Sequence, residues 1–194
     1  MLHLLDETQA RALEAQLVRR AKGGDRESFE QLVRAHFAQV YRVVFRMVGS
    51  HEDAEDLAQD CFVRAWRGLA WYREESALAT WLCRIAVHLA QDHLRARSRR
   101  SRAVELAPEL DAAVRSSPAE DLERREVVQN LRSALDRLPA RMRASLVLRV
   151  FEGLEYPEVA RSVGVTPATA RTHVMKARRL LLRWMAPWLG RRTP

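Results

Sequence analysis

The stretch EGLEYPEVARSVGVTPATARTHVMKARR, residues 152–179, holds two helix starts separated by one turn. Pro157 suits the first turn of a short helix, because the amide it lacks would have no helical partner there. Val159, Ala160 and Val163 form the inner edge of that helix, and Gly164 permits the sharp turn that ends it. Thr166 then stands as an N-cap with Pro167 in the first helical position, so a second helix begins at once. Two helices joined by a short glycine-containing turn make a helix-turn-helix. In the second helix Ala170, Val174, Ala177 and Leu181 share one face, while Ala168, Thr172, Met175 and Arg179 point the other way, flanked by Arg171 and Lys176. The first face must pack. The second is basic, and long cationic side chains neutralise phosphate and bond guanine edges in the major groove. A plain solvated face is the alternative for such mixed positions; the preceding short helix, the glycine and the N-cap favour DNA.

Charge along the chain supports an acidic partner. The 194 residues carry a formal charge of +8, with a sequence pI near 10.6. That excess alone does not separate nucleic acid from an anionic membrane surface. Its distribution is more telling: residues 139–194 hold 11 Lys or Arg against 3 acids, and residues 91–103 hold 5 Arg against 1 Asp. Between these basic zones, residues 104–126 carry 7 acids and 3 bases.

Upstream, four helical stretches fill residues 8–100. The first, 8–21, ends at Gly23 and Gly24. In the second, 28–48, Phe29, Leu32, Val33, Phe37, Val40, Tyr41, Val44 and Val48 recur at helical spacing. The third, 52–69, sets Ala54, Leu57, Ala58, Cys61, Ala65 and Leu69 against an opposite stripe of Asp53, Asp56, Asp60, Arg64 and Arg67. The fourth, 78–97, buries Leu78, Leu82, Ile85, Ala86 and Leu89 and turns Arg84, His88, Gln91 and Arg95 outward, with Trp81 at the edge of that outward set. Two prolines and a loss of periodicity mark 101–122 as a linker. Further helices follow at 122–136, 140–152, 156–163 and 166–188. The predicted class is all-α: a helical domain over 1–100, a flexible linker over 101–122 and a second helical domain over 123–194.

Several functions are disfavoured. No run approaches the ~18 apolar residues of a membrane span, and the start lacks a secretory pattern, so a cytoplasmic location is expected. Cys61 and Cys83 lack CxxC spacing and read as buried apolar residues. There is no P-loop, GxSxG or HExxH, and no acid pairs with a His or a metal-ligand cluster, so neither catalytic residues, metal nor cofactor is expected. A helix-turn-helix alone would suit several classes of DNA-binding protein, a repressor or response regulator among them, so the amino-terminal module must decide.

Three motifs in order decide further. DAEDLAQDCFVRAWRGL (53–69), ATWLCRIAVHLAQDHLRAR (79–97) and LDRLPARMRASLVLRVFEGLEYPEVARSVGVTPATARTHVMKARRLL (135–181) resemble region 2 and region 4 of the extracytoplasmic-function (ECF, group IV) sigma factors of RNA polymerase. The resemblance covers nearly the whole chain. It implies a promoter-recognition subunit whose partners are core RNA polymerase, promoter DNA and an anti-sigma factor, which can itself be membrane-anchored.

By the same resemblance, the third helix meets the clamp-helix coiled coil of the polymerase through Asp53, Asp56, Gln59, Asp60 and Arg64. Exposed carboxylates on a basic protein set partner choice and register more than affinity. The loop AWYREESA (70–77) and the outward face of the fourth helix read the minus 10 element through Trp71, Tyr72, Arg73, Ser76, Trp81, Arg84, His88, Gln91 and Arg95. Extruding a base costs a few kcal/mol, which stacking on aromatic rings offsets. His88 stands where relatives often carry Asn, and Leu78 with Ala79 replaces a common aromatic-plus-polar pair. Thr166, Ala168, Arg171, Thr172, Met175, Lys176 and Arg179 read the minus 35 element, and Arg95, Arg97, Arg99, Arg100 and Arg102 contact backbone phosphate.

Overall fold

The computed structural model describes residues 7–103 and 119–189, and every regular element among them is helical. Helix α1 (Glu7–Lys22) closes at Gly24, whose φ of +94° suits glycine. Helix α2 (Arg26–Val48) starts on Asp25, whose carboxylate accepts from the amides of Glu27 and Ser28 at 3.1 and 3.3 Å and from the Ser28 hydroxyl at 2.8 Å. The Ser28 bonds hold the Asp25 carboxyl below its usual pKa. Ser50 caps α3 (His51–Gly68), and a single turn, Leu69–Trp71, leads to the 70–77 loop. Helix α4 (Leu78–Ala103) runs past the end expected from the sequence, because the arginines of 95–102 are good helix formers.

The second module begins with α5 (Ala119–Asp136), so the expected linker retains helix at both ends and its centre, 104–118, lies outside the described residues. Helix α6 (Ala140–Leu146) widens into a π-helical turn, Val147–Phe151. Helix α7 (Tyr156–Val163) ends on left-handed Gly164, and α8 (Pro167–Leu189) follows with Thr166 Oγ1 accepting the Thr169 amide at 3.2 Å. This is the expected helix-turn-helix.

Packing departs from a picture of two free arms. One core joins both modules: Val43, Val44, Met47, Cys61 and Ala86 of the first are continuous with Ala144, Val147, Leu148, Val159, Ala160, Val163 and Ala170 of the second. Each such large aliphatic contributes roughly 1.5–3 kcal/mol when fully buried. A smaller cluster, Leu135, Leu138, Leu146, Val174 and Ala177, belongs to the second module alone. The cause sits in residues 143–148, all six of which are buried. A helix buried all round needs neighbours on both sides, and α8 and the first module supply them. Cys61 and Cys83 are buried free thiols, and burial pushes both pKa values up to about 12.

Candidate nucleic-acid and polymerase interfaces

Three surfaces carry the residues singled out in the sequence. On α8, Ala170, Val174 and Ala177 are buried, while Thr166, Ala168, Arg171, Met175, Lys176 and Arg179 are exposed, Met175 by 65%. Thr172 is half-buried and donates its hydroxyl to the Ala168 carbonyl at 3.0 Å. The face is therefore an apolar methionine tip set among cations, on a helix anchored by its opposite side.

One feature of this face escaped the sequence. The Arg171 guanidinium lies 5.1 Å from the Tyr156 ring centroid, and Arg149 lies 4.9 Å from the same ring. Arg149 is itself held at 2.9 Å by the Leu154 carbonyl and the Glu155 carboxylate, which raises its pKa. Tyr156 thus restrains Arg171 on the next helix. Stacking across two helices leaves no periodic trace in a sequence.

The second surface comprises the 70–77 loop and α4. Trp71 is 78% exposed, and Arg73, Arg84, Arg95, Arg97 and Arg99 also face solvent. The side chains of Arg100 and Arg102 lie outside the described residues. Tyr72, expected to stack on DNA, is instead buried: its hydroxyl donates to the Ser76 carbonyl at 2.6 Å, and its ring lies 5.0 Å from Trp81. Burial pushes its phenol up to about 12. Tyr72 is therefore a strut of the loop, and Trp71 is its free aromatic ring. Trp81 is half-buried.

Gln91 is a second correction. Expected to face outward, it is only 4% exposed, and its Nε2 has no hydrogen-bond partner. Helix α4 is packed against α2 and α3 and also against α6 and α7, which buries Gln91 while Arg84, His88 and Arg95 stay exposed. His88 is exposed, with the Ser162 backbone of α7 close enough to its ring to affect its titration. Burial, with Arg84 beside it, lowers the His88 pKa. A cleft of about 200 Å³ lies between Trp71, Trp81 and Arg84 on one wall and Glu158, Arg161 and Ser162 on the other.

The third surface is α3. Asp56, Gln59, Asp60 and Arg64 are exposed. Asp53 is half-buried and its carboxylate is 3.4 Å from His93 Nε2, which ties it to α4. Beside this stripe runs an apolar groove of about 530 Å³, lined by Phe29, Val33, Phe37, Phe62, Val63 and Trp66, with Gln59 on its edge. The sequence marked Phe29 and Phe37 of α2 as apolar face, yet both are only half-buried and line this groove. No three His, Cys, Asp or Glu among the described residues are grouped to hold a metal. No helix among them is long and apolar enough to cross a membrane.

A basic helix-turn-helix on one module and a basic, aromatic-lined face on the other are features suited to nucleic acid. Comparison with known proteins makes this specific. Sigma-70 region 2 matches residues 32–100, and Sigma-70, region 4 matches residues 128–181. The chain is 33% identical to the RNA polymerase sigma-H factor of Pseudomonas aeruginosa, over 90% of this chain and 94% of that one. It is 31% identical to the ECF RNA polymerase sigma-E factor of Escherichia coli K12, over 90% and 95%. Among solved structures, a Bartonella quintana sigma factor, RpoE, in complex with the anti-sigma factor NepR matches with a TM-score of 0.67 and 23% identity, over 82% of this chain and 98% of that one. CnrH in complex with the cytosolic domain of CnrY matches with a TM-score of 0.65 and 23% identity, over 93% and 99%. The chain belongs to the ECF sigma factors. It is a non-enzymatic transcription initiation factor whose partners are core RNA polymerase and promoter DNA.

Proposed function

We propose that the two modules divide promoter recognition as their surfaces suggest. The domain over 1–100 takes core polymerase and the minus 10 element, residues 101–122 link, and the domain over 123–194 takes the minus 35 element. Arg171, Lys176 and Arg179 engage phosphate or guanine, and Met175 offers an apolar contact suited to a thymine methyl. Trp71 and Trp81 stack on an extruded base, while Arg73, Arg84, His88 and Arg95 hold the strand beside it. Tyr72 and Gln91 support that surface from beneath. The observation that carries this reading is α8: Ala170, Val174 and Ala177 anchor it in the core while Ala168, Met175 and the cations Arg171, Lys176 and Arg179 are exposed.

Core polymerase docks on α3 through Asp56, Gln59, Asp60 and Arg64, and the neighbouring groove of Phe62, Val63 and Trp66 extends the contact with apolar area for a polymerase helix. Continuity of the groove with the charged stripe supports one partner for both. The protein acts in the cytoplasm, where the polymerase is. An anti-sigma factor controls it, a reading that rests on the fold shared with a sigma factor solved in complex with an anti-sigma factor. The test is transcription from a genomic promoter library by core polymerase with and without the purified chain. Start sites that appear only with the chain support the reading, and binding to DNA without transcription overturns it in favour of a polymerase-independent regulator.

A further inference from the structure

One cation at the end of α1 holds two residues of the 70–77 loop. Lys22, the last residue of α1, places its Nζ 2.9 Å from Glu74 Oε1 and 5.3 Å from the Tyr72 ring centroid. The Tyr72 hydroxyl in turn donates to the Ser76 carbonyl, and its ring meets Trp81. Trp71 and Arg73, which alternate with these two residues, are exposed. Beyond the Leu69–Trp71 turn, packing gives the loop little support on this side: a cleft of about 460 Å³ opens between Glu14 and Val18 of α1 and Tyr72, Glu74 and Ser76 of the loop.

Glu74 is an unexpected residue for its place in two ways. Its φ of +60° lies in the left-handed region, and it is the single non-glycine residue with positive φ among the described residues. A side chain crowds the backbone there, which is why glycine usually takes such positions. It also puts a carboxylate into a surface that carries exposed Trp71, Arg73 and Arg84, where it would repel a nucleic-acid phosphate. Lys22 offsets both: its ammonium neutralises the carboxylate, and the bond holds the crowded backbone in place.

We propose that Lys22 and Glu74 are positioning residues for minus 10 recognition: their ion pair fixes the backbone of the 70–77 loop, so that Trp71 and Arg73 are presented before the strand arrives. The proposal rests on the assignment of that loop to the minus 10 element, and it brings α1 into a task for which only the loop and α4 carried candidates. A loop already set in its binding conformation loses less freedom on binding than one its ligand must order. It also confines the strand to one geometry. Breaking the pair from the Glu74 side therefore removes sequence preference ahead of total affinity, because the freed Lys22 still attracts phosphate.

The test is transcription by core polymerase and the full chain from a promoter mapped in the library, set against single-base variants of its minus 10 element. Lys22→Glu, which opposes Glu74, should lower the ratio of parent to variant transcripts about two- to fivefold, the range expected of one partly exposed ion pair. Adding Glu74→Lys should restore most of that ratio, although the unfavourable acid at the α1 C-terminus remains. Glu74→Gly suits the left-handed backbone, so its urea midpoint should stay close to or above the parent's while the ratio falls as in Lys22→Glu. Amide exchange of the loop, read by mass spectrometry without polymerase or DNA, should speed up in Lys22→Glu and Glu74→Gly and slow again in the charge-swapped double variant. Parent-like ratios and exchange in Lys22→Glu, a double variant no better than the single one, or a ratio that falls only as far as the urea midpoint does, overturns the proposal. If the unmodified chain directs no transcription, the reading beneath the proposal falls, whatever the exchange shows.

Discussion

Helices α4 and α8 are built on the same plan and are packed differently. Each has one apolar face and one face of Arg, His or Lys, yet the cations of α8 expected to face outward, Arg171, Lys176 and Arg179, all do so, whereas α7 packs next to the exposed Arg84 and His88 of α4 and Gln91 is buried. The difference teaches that amphipathicity marks which side of a helix packs in its own domain, and does not guarantee that the other side stays free. A neighbouring domain can add a second layer whenever its own apolar surface exceeds what its own helices cover, as residues 143–148 do here.

The comparison can be broken most severely in the shared core. Leu148→Ala, at a fully buried site, should cost about 2–5 kcal/mol and lower the urea midpoint of both modules together, as read by fluorescence and by proteolysis of each. If the first module keeps its midpoint, the core is not shared in solution. Arg143→Ala should follow at about 1.5–3 kcal/mol, because it strips charge-assisted bonds from Asp136 and the Met47 carbonyl.

Readout by α8 is sharpened by Arg171→Ala, expected to weaken minus 35 duplex binding by ~1–3 kcal/mol and to relax preference at one base position. A uniform loss across sequences would assign Arg171 to phosphate. Tyr156→Leu should reproduce part of that relaxation, about 0.5–1 kcal/mol, with Tyr156→Phe close to the parent, since the ring face and not the hydroxyl meets the guanidinium. Charge reversal at Asp56 and Asp60 should weaken core polymerase capture by up to about 1 kcal/mol per lost pair, more at low salt, and leave duplex binding unchanged.

The smallest effect concerns His88. Its pKa is lowered in the folded chain by burial and by Arg84 and Arg95, opposed by Asp92 and the Ser162 backbone. The unfolded chain therefore holds more protons between the lowered value and the ordinary one, so stability rises with pH through that window and is lost as pH falls through it. His173, lowered by burial, Lys176 and Arg141, acts in the same direction. Urea midpoints measured across this range should climb with pH, and His88→Gln should flatten part of the slope.

Much of this molecule could be read from residue order alone. The helix start at Thr166 and the stop at Gly164 follow from local chemistry: a side-chain oxygen satisfies a free amide, and a glycine tolerates a left-handed backbone. The inner faces of α3 and α8 obey the helical period. Where the reading went astray, the cause lay between elements. Tyr72 turned inward because Trp81 and the Ser76 carbonyl receive it, and Gln91 was covered because α4 is packed from two sides. The Tyr156–Arg171 stack, the apolar groove beside the acidic stripe and the Lys22–Glu74 pair join residues far apart in the chain. Periodicity and caps report the first few neighbours along a chain, whereas which exposed face is later covered depends on the surplus apolar surface of a distant segment and on the partners its buried charges find.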